Sequence, residues 1–468
     1  MKKYDLVVIG SGPGGEKAAV KAAYFGHSVA LIEKTATFGG AGVLTGTLPS
    51  KTLKETALFL SGKFEKGLYG VERTLEHEAS VKDFLFRKNV VITHAALEVA
   101  QNIRLHGVDV FHGIASFEDA HHIHIAGGVE ETIYGENIII ATGSYPAHPP
   151  GIPFDNHRIH DSDTILNINS FPSSIAVLGA GTIGCEYATI FATMGAKVYL
   201  INRNDKMLMF LDAEIKHKLL VFMKEMGIDI MLNASIKELR PPDDDTTPLN
   251  IVLSSGETLH VDMFLFAAGR DGNIKDLNLD KVGVKTGSRE LILVDEQYRT
   301  NIPNIYAVGD VIGFPALAST SMDQGRVAVA HIFNTGDLEY VSKILPYGIY
   351  TVPEISMVGM TEEEAQKEKV DYLVGRAYHA TSSRGEIMGA KRGMLKIVFT
   401  RDDLIIRGVH IIGHLAAEMI HYGMLLVQDK KTLTSVVSAV FNYPTLHDLY
   451  KYACYDGLST LVGKKVKP

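Results

Sequence analysis

The chain has 468 residues, 46 of them basic and 54 acidic, and a formal net charge of −8 at pH 7. This length predicts two to four domains, and the mixed, mildly acidic charge excludes the basic stripe that follows a nucleic-acid backbone. No apolar run approaches the ~18 residues that a membrane helix needs, and no signal peptide precedes the first strand pattern, so we expect a cytoplasmic protein. Cys185 and Cys454 have no CxxC or Cys/His spacing, which excludes a cysteine metal site and predicts two ordinary apolar side chains.

The first predicted unit is a strand, a glycine-rich turn, a helix and a second strand. The strand over 4–10 leads into the turn 10–15, an alanine-rich helix to Tyr24, and a strand over 28–32 that ends on Glu33. The glycines of such a turn allow a tight bend, a close approach to a pyrophosphate, and close packing of helix on strand. The unit predicts a dinucleotide site formed by Gly10, Gly12, Gly14, Gly15, Glu33 and Lys34.

The middle of the chain repeats this pattern. A helical stretch begins near Leu48, strand and hairpin material continues to 137–141, and the proline-rich segment 144–153 is the best linker candidate in the first half. The repeat then consists of a strand over 175–178, the turn 179–184, a helix from about Cys185 to Met194, and a strand over 197–201. Two such units predict two nucleotide-binding domains.

The second unit differs from the first at its acidic position. Its turn contains Gly179, Gly181, Thr182, Ile183 and Gly184, but the following strand leads into Asn202 and Arg203, where a carboxylate would select NAD. An arginine can pair with the 2′-phosphate of NADP, and Asn202 can hydrogen-bond a free 2′-hydroxyl. We therefore expect a site that accepts NADP without excluding NAD. A solvated surface arginine is the alternative interpretation of Arg203.

The last part of the chain adds a third predicted domain. A strand over 305–310 ends in Gly309 and Asp310, and mixed helix and strand patterns follow from about Gly348. The apolar helix predicted over 416–427 is suited to a subunit interface or to packing within its own domain.

The chain resembles the flavoprotein pyridine nucleotide-disulfide oxidoreductases over essentially its whole length. Shorter motifs are most similar to the soluble pyridine nucleotide transhydrogenases: PSK at 49–51, IGCEYATIF at 183–191, GVHIIG at 408–413 and FNYPT at 441–445. The resemblance implies an α/β fold with two Rossmann-like dinucleotide-binding domains and a C-terminal α+β dimerisation domain, assembled as a homodimer. The implied boundaries are 1–148 and 275–345 for FAD, 149–274 for NAD(P), and 346–468 for dimerisation.

The resemblance also implies roles for single residues. The first turn with Glu33 would bind the adenosine and pyrophosphate of FAD, and Asp310 would bind the ribityl chain beside a helix that opens around Ala318. Lys51 would lie beside the reactive flavin nitrogen and pair with Glu186, so these two are the implied catalytic residues; by itself the sequence would make Lys51 a solvated helix lysine. The other implied cofactor-binding positions are Gly40, Thr47, Ala141, Thr142, Gly143, Gly269 and Gly309.

The chain departs from the disulfide reductases of this superfamily at their redox centre. Gly42 and Thr47 stand where those enzymes carry two cysteines, and soluble transhydrogenases usually keep the first of them. Tyr443 and Asp448 stand where those enzymes have the histidine and glutamate that manage thiol protons, and we expect His447 to be a surface or interface residue. No dithiol can form at a flavin here, so a dihydrolipoamide dehydrogenase activity is rejected.

The expected function is that of an FAD-dependent NAD(P)+ transhydrogenase of the Si-specific type. Because the chain has one nicotinamide-type turn, NADPH and NAD+ would use it alternately, which predicts ping-pong kinetics. Two alternatives stay open: an NAD(P)H oxidase or diaphorase that passes electrons to oxygen or a quinone, and a non-catalytic flavoprotein redox sensor. The expected partners are nicotinamide nucleotides and a second copy of the chain, with no nucleic acid, membrane or metal.

Overall fold

The structure is a computed structural model that describes residues 1–62, 68, 75, 79–127, 130–242, 244 and 247–463. Five β-sheets organise the described residues, and three of them have five strands or more. No helix in the described ranges is long and apolar enough to cross a membrane.

The N-terminal region contains the first strand-turn-helix unit and a meander. Leu6, Val7 and Val8 are fully buried, so the first strand is covered on both faces, as is typical of a central parallel strand. The elements are β1 (Lys3–Ile9), α1 (Pro13–Tyr24), β2 (Val29–Glu33), α2 (Gly40–Leu44), α3 (Thr47–Ser61), α4 (Val81–Leu105), β3 (Asp109–His112), β4 (Ile114–Phe117), β5 (His122–Ala126), β6 (Glu131–Ile140) and β7 (Ser144–Pro146).

The middle region contains the second unit. Its helix begins at Thr182, three positions earlier than the sequence predicts, because Gly181 already takes the N-cap position. The elements are β8 (Ile159–Asp161), β9 (Ser174–Leu178), α5 (Thr182–Thr193), β10 (Lys197–Ile201), α6 (Ala213–Glu225), β11 (Asp229–Met231), β12 (Ile236–Arg240), β13 (Leu249–Leu253), β14 (Thr258–Val261), β15 (Met263–Phe266) and β16 (Arg270–Gly272).

The last region returns to the first sheet and then forms a separate antiparallel sheet. The predicted apolar helix is present, and its buried side chains Met419, Ile420 and Leu426 pack within its own domain. The elements are β17 (Ile305–Ala307), α7 (Ala318–Phe333), β18 (Tyr347–Ile349), β19 (Ile355–Gly359), α8 (Glu362–Lys367), β20 (Tyr372–Tyr378), α9 (Ser383–Ile387), β21 (Gly393–Thr400), β22 (Ile406–Gly413), α10 (Ala416–Gln428), α11 (Leu433–Ser438) and α12 (Asp448–Leu461).

Two of the sheets have the parallel order that suits dinucleotide binding. The seven-stranded sheet runs β3-β2-β1-β6-β5-β4 with β17 paired to β6, and β1 is parallel to both β2 and β6. The five-stranded sheet of the middle region runs β11-β10-β9-β15-β8, and all of its strand pairs are parallel. In both, the glycine turn follows the strand at the point where the strand order reverses, which is where open α/β sheets bind ligands. The predicted α/β fold class is confirmed.

The chain crosses between these two sheets twice, after β6 and after β15, and these two chain passages lie side by side. Strand β7 pairs antiparallel with β16, and Ser144 lies opposite Gly272. The proline-rich segment 144–153, expected to be a linker, therefore begins with a short strand. This pairing places the residues that follow β6 beside the residues that follow β15.

Candidate functional site

The first glycine turn brings α1 very close to the parallel sheet. Gly10 has φ 103°, and a Cβ there would lie 2.5 Å from the carbonyl oxygen of Ala141. A Cβ on Gly15 would lie 2.0 Å from the carbonyl oxygen of Gly10. Only glycine satisfies both positions, and the contact with Ala141 brings the predicted segment 141–143 to the same turn.

Glu33 is buried at the end of β2 and fixes the first turn. Its Oε2 accepts hydrogen bonds from the backbone N of Ser11 at 3.0 Å and from the Ser11 hydroxyl at 2.7 Å. Its Oε1 accepts from the backbone N of Thr35 at 2.9 Å. The Ser11 hydroxyl in turn accepts from the backbone N of Gly39 at 3.1 Å, which fixes the segment that leads to Gly40. Ser11 lies inside the glycine motif but was not among the predicted site residues.

A surface cleft continues from Glu33. Lys34 is exposed and lines this cleft. The backbone N of Gly113 donates to the carbonyl oxygen of Glu33 at 3.0 Å and holds the opposite wall in place. Sequence reasoning missed this wall because it comes from a turn about 80 positions away from Glu33 in the chain. The lining residues are Lys34, Thr35, Ala36, His112, Gly113, Ile114, Ala126 and Gly127.

The helices predicted to face cofactors begin without a side-chain cap. Gly12, Gly181 and Leu317 hold the N-cap positions of α1, α5 and α7, and none of them makes a capping hydrogen bond. By contrast, Ser80 caps α4 and Asp212 caps α6. Uncapped first-turn amides and the positive end of the helix dipole suit phosphate groups and polarised carbonyl oxygens. These three helix starts therefore fit the dinucleotides that the sequence implies.

The second turn repeats the geometry of the first in a more open setting. Gly179 has φ 115°, and a Cβ there would lie 2.5 Å from the carbonyl oxygen of Ala267. A Cβ on Gly184 would lie 1.8 Å from the carbonyl oxygen of Gly179. Gly181 is exposed, and a Cβ there would have no heavy atom within 4 Å. A pyrophosphate has room beside Gly181.

Asn202 takes the position that Glu33 has in the first unit. Its Oδ1 accepts from the backbone N of Ala180 at 3.1 Å, and its Nδ2 donates to the carbonyl oxygens of Asn204 and Lys206 at 3.1 and 3.0 Å. Arg203 is exposed, and no ion pair engages it within the described residues. The neutral amide therefore organises a loop on which the guanidinium of Arg203 is accessible.

Asp310 connects to both chain passages through side chains. Its Oδ2 accepts from the hydroxyl of Ser144 at 3.1 Å, and that hydroxyl accepts from Nε of Arg270 at 2.9 Å. Arg270 also donates to Oδ1 of Asp163 at 2.9 Å. Thr142, one of the predicted cofactor residues, has a buried hydroxyl oxygen without a partner. Asp310 thus offers an acceptor to a ligand, and the Thr142 hydroxyl is a separate buried group that a ligand can satisfy.

The segments around Gly269 and Ala318 complete this side of the site. Gly269 follows Ala267 and Ala268 and directly precedes Arg270. Gly309 donates its backbone N–H to Oε1 of Gln324 at 2.8 Å, which ties the Gly-Asp turn to α7, the helix that begins at Ala318. Gln324 had no signal in the sequence that would separate it from other helix residues.

Lys51 and Glu186 form an ion pair that joins α3 to α5. Nζ of Lys51 lies 2.7 Å from Oε2 of Glu186, and their side chains are 25% and 4% exposed. The other oxygen, Oε1, accepts from the backbone N of Tyr350 at 2.9 Å. The structure thus brings together two residues 135 positions apart that the resemblance assigns to the redox centre.

Two positions that carry cysteines in disulfide reductases carry none here. Gly42 packs on Pro13, and a Cβ on Gly42 would lie 2.7 Å from Cγ of Pro13. Thr47 is exposed and is the first residue of α3. Cys185 and Cys454 are buried free thiols within helices, as predicted. Burial raises the pKa of both thiols, that of Cys454 to about 12.

The C-terminal residues differ in part from the prediction. Tyr443 is exposed, and its hydroxyl shares a hydrogen bond of 2.7 Å with the hydroxyl of Ser383. His447, expected to be a surface or interface residue, is half-buried, and its ring stacks on Tyr450 with 6.1 Å between centroids. Burial lowers the pKa of His447. Asp448 is the first residue of α12.

A buried lysine joins α6 to the C-terminal sheet. Nζ of Lys396 on β21 lies 2.8 Å from Oδ1 of Asp212 and 3.1 Å from Oε2 of Glu214, and it also contacts Glu362. These three carboxylates are close enough together to hold a metal ion. The ammonium of Lys396 already supplies their cation, so the cluster is a contact between domains.

Two sheets with parallel strands around a glycine turn, an ion pair that joins α3 to α5, and an antiparallel C-terminal sheet define an oxidoreductase with two dinucleotide sites. The pyridine nucleotide-disulphide oxidoreductase family matches residues 4–325, and its dimerisation domain matches residues 345–454. The chain belongs to the pyridine nucleotide-disulphide oxidoreductase family.

Relatives and solved structures agree with this assignment. The chain is 40% identical to proteins named soluble pyridine nucleotide transhydrogenase from Mycobacterium tuberculosis and Pseudomonas fluorescens, over 98% of this chain and 98% and 99% of those proteins. It is similar to the Cu(II) complex of the HOCl-induced flavoprotein disulfide reductase RclA from Escherichia coli, with 27% identity, a TM-score of 0.88, and 97% and 99% of the two chains covered. LpdA from Mycobacterium tuberculosis has the same fold at 23% identity and a TM-score of 0.88, covering 97% of this chain and 99% of its own.

Proposed function

We propose that the protein is an FAD-dependent NAD(P)+ transhydrogenase that exchanges a hydride between NADPH and NAD+. The observation that carries the proposal is the ion pair of Lys51 and Glu186, 2.7 Å long, together with Gly42 and Thr47, which offer no thiol at the positions where the disulfide reductases carry their cysteines. The flavin-side charge pair is present and the dithiol is not, which fits hydride exchange and does not fit disulfide reduction. The name carried by relatives at 40% identity supports the same function.

Each part of the chain has a separate task in this proposal. The first turn, Glu33 and Asp310 hold FAD, and the second turn with Asn202 and Arg203 holds NADP or NAD. When bound, FAD supplies the hydride chemistry, because it accepts a hydride from one nicotinamide and returns it to another. Lys51 places a positive charge at the reacting end, and Glu186 balances that charge because a lone buried ammonium would be costly.

The open second turn fits a nucleotide that leaves after each half-reaction. Gly181, beside the proposed pyrophosphate position, is exposed, whereas Gly12 of the first turn is half-buried and lies close to Gly40. Asn202 carries no charge that would repel a 2′-phosphate, so one site can take both nucleotides in turn. We expect ping-pong kinetics, with parallel lines in double-reciprocal plots.

The decisive assay is reduction of a thio-NAD+ analogue by NADPH with purified protein, run with and without oxygen. We expect transfer in both conditions. Absence of transfer without oxygen, together with peroxide formation in its presence, would contradict the proposal and identify an oxidase. If neither product forms with FAD bound, the non-catalytic redox sensor is the better description.

A reductive titration tests the absence of thiol chemistry independently. Without a dithiol, the protein takes up two electrons per FAD and shows no long-wavelength thiolate-to-flavin band. An uptake of four electrons would mean that a sulfur pair exists near the flavin.

We further propose a homodimer, the domain boundaries 1–148 with 275–345, 149–274 and 346–468, a cytoplasmic location, and Si-specific transfer. The match of residues 345–454 to the dimerisation domain supports the dimer. Stereospecifically deuterated NADPH tests the transfer: NADP+ formed from (4S)-deuterated NADPH must lose the label, and NADP+ formed from (4R)-deuterated NADPH must keep it.

A further inference from the structure

We infer that Tyr350 is a positioning residue for the ion pair of Lys51 and Glu186. This inference rests on the proposed function. The backbone N–H of Tyr350 donates to Oε1 of Glu186 at 2.9 Å, and the centroid of its ring lies 5.0 Å from Nζ of Lys51. One residue therefore contacts both members of the pair, the carboxylate through its main chain and the ammonium through its ring.

The ring of Tyr350 is held firmly enough to serve as a fixed support. It is half-buried and lies over Gly348, where an added Cβ would be 3.4 Å from its Cε2. Nζ of Lys54 also lies 5.9 Å from the ring centroid. Lys51 and Lys54 are one helical turn apart on α3, and the ammonium groups of both lie near the same ring.

Lys54 has its own counter-charges and does not compete for Glu186. Its Nζ lies 2.5 Å from Oε1 of Glu354 and 2.6 Å from Oε1 of Glu55. Burial works to lower the pKa of Lys54, but the two carboxylates hold it above its ordinary value. Lys51 and Lys54 thus form ion pairs with different carboxylates, and the ring of Tyr350 is the group that both of them contact.

The main-chain contact and the ring contact can be separated by mutation. The segment 350–352 is fixed to α5 by a second hydrogen bond, from the backbone N of Val352 to Oγ1 of Thr189 at 3.1 Å. Replacing the side chain of Tyr350 therefore keeps Glu186 in place and removes the ring beside Lys51 and Lys54, of which Lys54 keeps Glu354 and Glu55. Lys51 then gains freedom to leave its position, and the positive charge beside the flavin is less well fixed.

A loosely fixed cation stabilises less of the negative charge that reduction adds to the flavin. We expect Tyr350→Leu to lower the equilibrium constant for FAD reduction about tenfold, equivalent to about 30 mV for a two-electron couple. Tyr350→Phe keeps the aromatic face and restores the wild-type potential. The measurement is the midpoint potential of bound FAD by spectroelectrochemical titration, which needs no turnover.

Tyr347→Leu is the matched control. Tyr347 begins β18, three positions before Tyr350, but its ring packs on Phe210 and Phe314, with centroids 5.7 and 6.3 Å away, and no lysine lies over it among the described residues. Its potential should equal that of the wild type. In a Lys51→Met background, Tyr350→Leu should cause no further shift, because the ring has lost the group that it positions.

Several results would overturn the inference: an unchanged potential in Tyr350→Leu, equal shifts in the Leu and Phe variants, a shift in the Tyr347 control, or an additive shift in the Lys51→Met background. Should the leucine variant fail to fold, Tyr350→Met gives the same comparison. If the wild type transfers no hydride between nucleotides while Tyr350→Leu still lowers the potential, the proposed function fails and the positioning role of Tyr350 stands.

Discussion

The two glycine turns of this protein share a backbone plan and differ in what surrounds them. In each, the residue after the first glycine donates its backbone N–H to a side-chain oxygen 22 positions later: Ser11 to Glu33, and Ala180 to Asn202. Around the first turn, Glu33 is charged and buried and Gly40 approaches Gly12. Around the second, the corresponding side chain is a neutral amide and Gly181 is exposed.

In the proposed function, this difference between the two turns distinguishes the site of FAD, which stays bound, from the site of NADP or NAD, which exchanges. A buried carboxylate with fixed donors and a covering segment favours slow release, whereas an open turn with a neutral amide and an accessible arginine favours rapid exchange of related ligands.

The two units are also held in the molecule by different kinds of contact. Helix α1 packs on α7 through close glycine contacts, where a Cβ on Gly325 would lie 2.2 Å from the carbonyl oxygen of Gly14. The region after the second unit is fixed by the charges around Lys396.

The largest expected difference between the two turns comes from replacing one glycine in each by alanine. Gly15→Ala places a Cβ 2.0 Å from the carbonyl oxygen of Gly10, so we expect loss of bound FAD and of stable folding. Gly181→Ala meets no protein atom within 4 Å, so the protein should fold and retain FAD but bind NADPH more weakly. Flavin content of the purified variants and NADPH titration measure both effects. Equal flavin loss in both variants would contradict the assignment of the two turns.

The anchoring of the second unit is tested by Lys396→Met. The variant leaves the buried carboxylate of Asp212 without the ammonium of Lys396, whereas Glu214 keeps Arg376, so we expect the free energy of unfolding to fall by about 3–5 kcal/mol. Lys197→Met removes the ion pair between Lys197 on β10 and Asp229 on β11, whose side chains are 43% and 53% exposed, and should cost about 1 kcal/mol or less. Denaturant unfolding of both variants provides the comparison, and similar losses would contradict it.

The stability difference between the wild type and Lys396→Met should also depend on pH. Burial works to raise the pKa of Asp212, but His410 and Lys396 hold it below its ordinary value. Its contribution to stability is therefore present above the unfolded-state pKa of about 4 and is lost as the pH falls through the folded-state value. In Lys396→Met, burial acts without that cation, so the stability difference from the wild type should narrow as the pH approaches 4. A difference that widens on acidification would argue against the cluster.

The neutral amide of the second unit is tested by Asn202→Asp. The aspartate can still accept from the backbone N of Ala180, but its charge repels a 2′-phosphate. We expect NADPH binding to weaken between about 10- and 100-fold, with a much smaller effect on NADH. Binding titrations with both nucleotides check this, and NADH serves as the internal control for loop damage.

The smallest expected effect is that of Arg203→Ala. Loss of one charge-assisted contact to the 2′-phosphate should weaken NADPH about tenfold and leave NADH nearly unchanged. Equal weakening of the two nucleotides would remove the role assigned to Arg203 and leave it a solvated surface residue.

Sequence reasoning located the parts of the site that depend on local spacing. The glycine turns and the 22-residue step to Glu33 and Asn202 follow from one strand, one helix and one further strand, so they can be read from neighbouring residues. The fold class followed from the same repetition. Lys51 and Glu186 could be paired only through the family resemblance.

The remaining contacts join distant parts of the chain and have no local signal. Arg270 reaches Ser144 across 126 positions, Tyr350 reaches Glu186 across 164, and Lys396 reaches Asp212 across 184. Each is a single side chain or main-chain group brought together by the crossing of sheets, so periodicity and spacing do not reveal it. The strand that begins the proline-rich linker was missed for the same reason, because its partner lies near residue 270.

The burial of both cysteines has a consequence for the chemical resistance of the protein. Burial raises the pKa of Cys185 and Cys454, so neither sulfur offers appreciable thiolate at neutral pH. Oxidants and alkylating agents react with exposed thiolates of low pKa, and the family resemblance places Gly42, which has no sulfur, where the disulfide reductases carry such a cysteine. We therefore expect such reagents to leave the activity of the folded protein unchanged, because neither of its two cysteines offers a reactive thiolate.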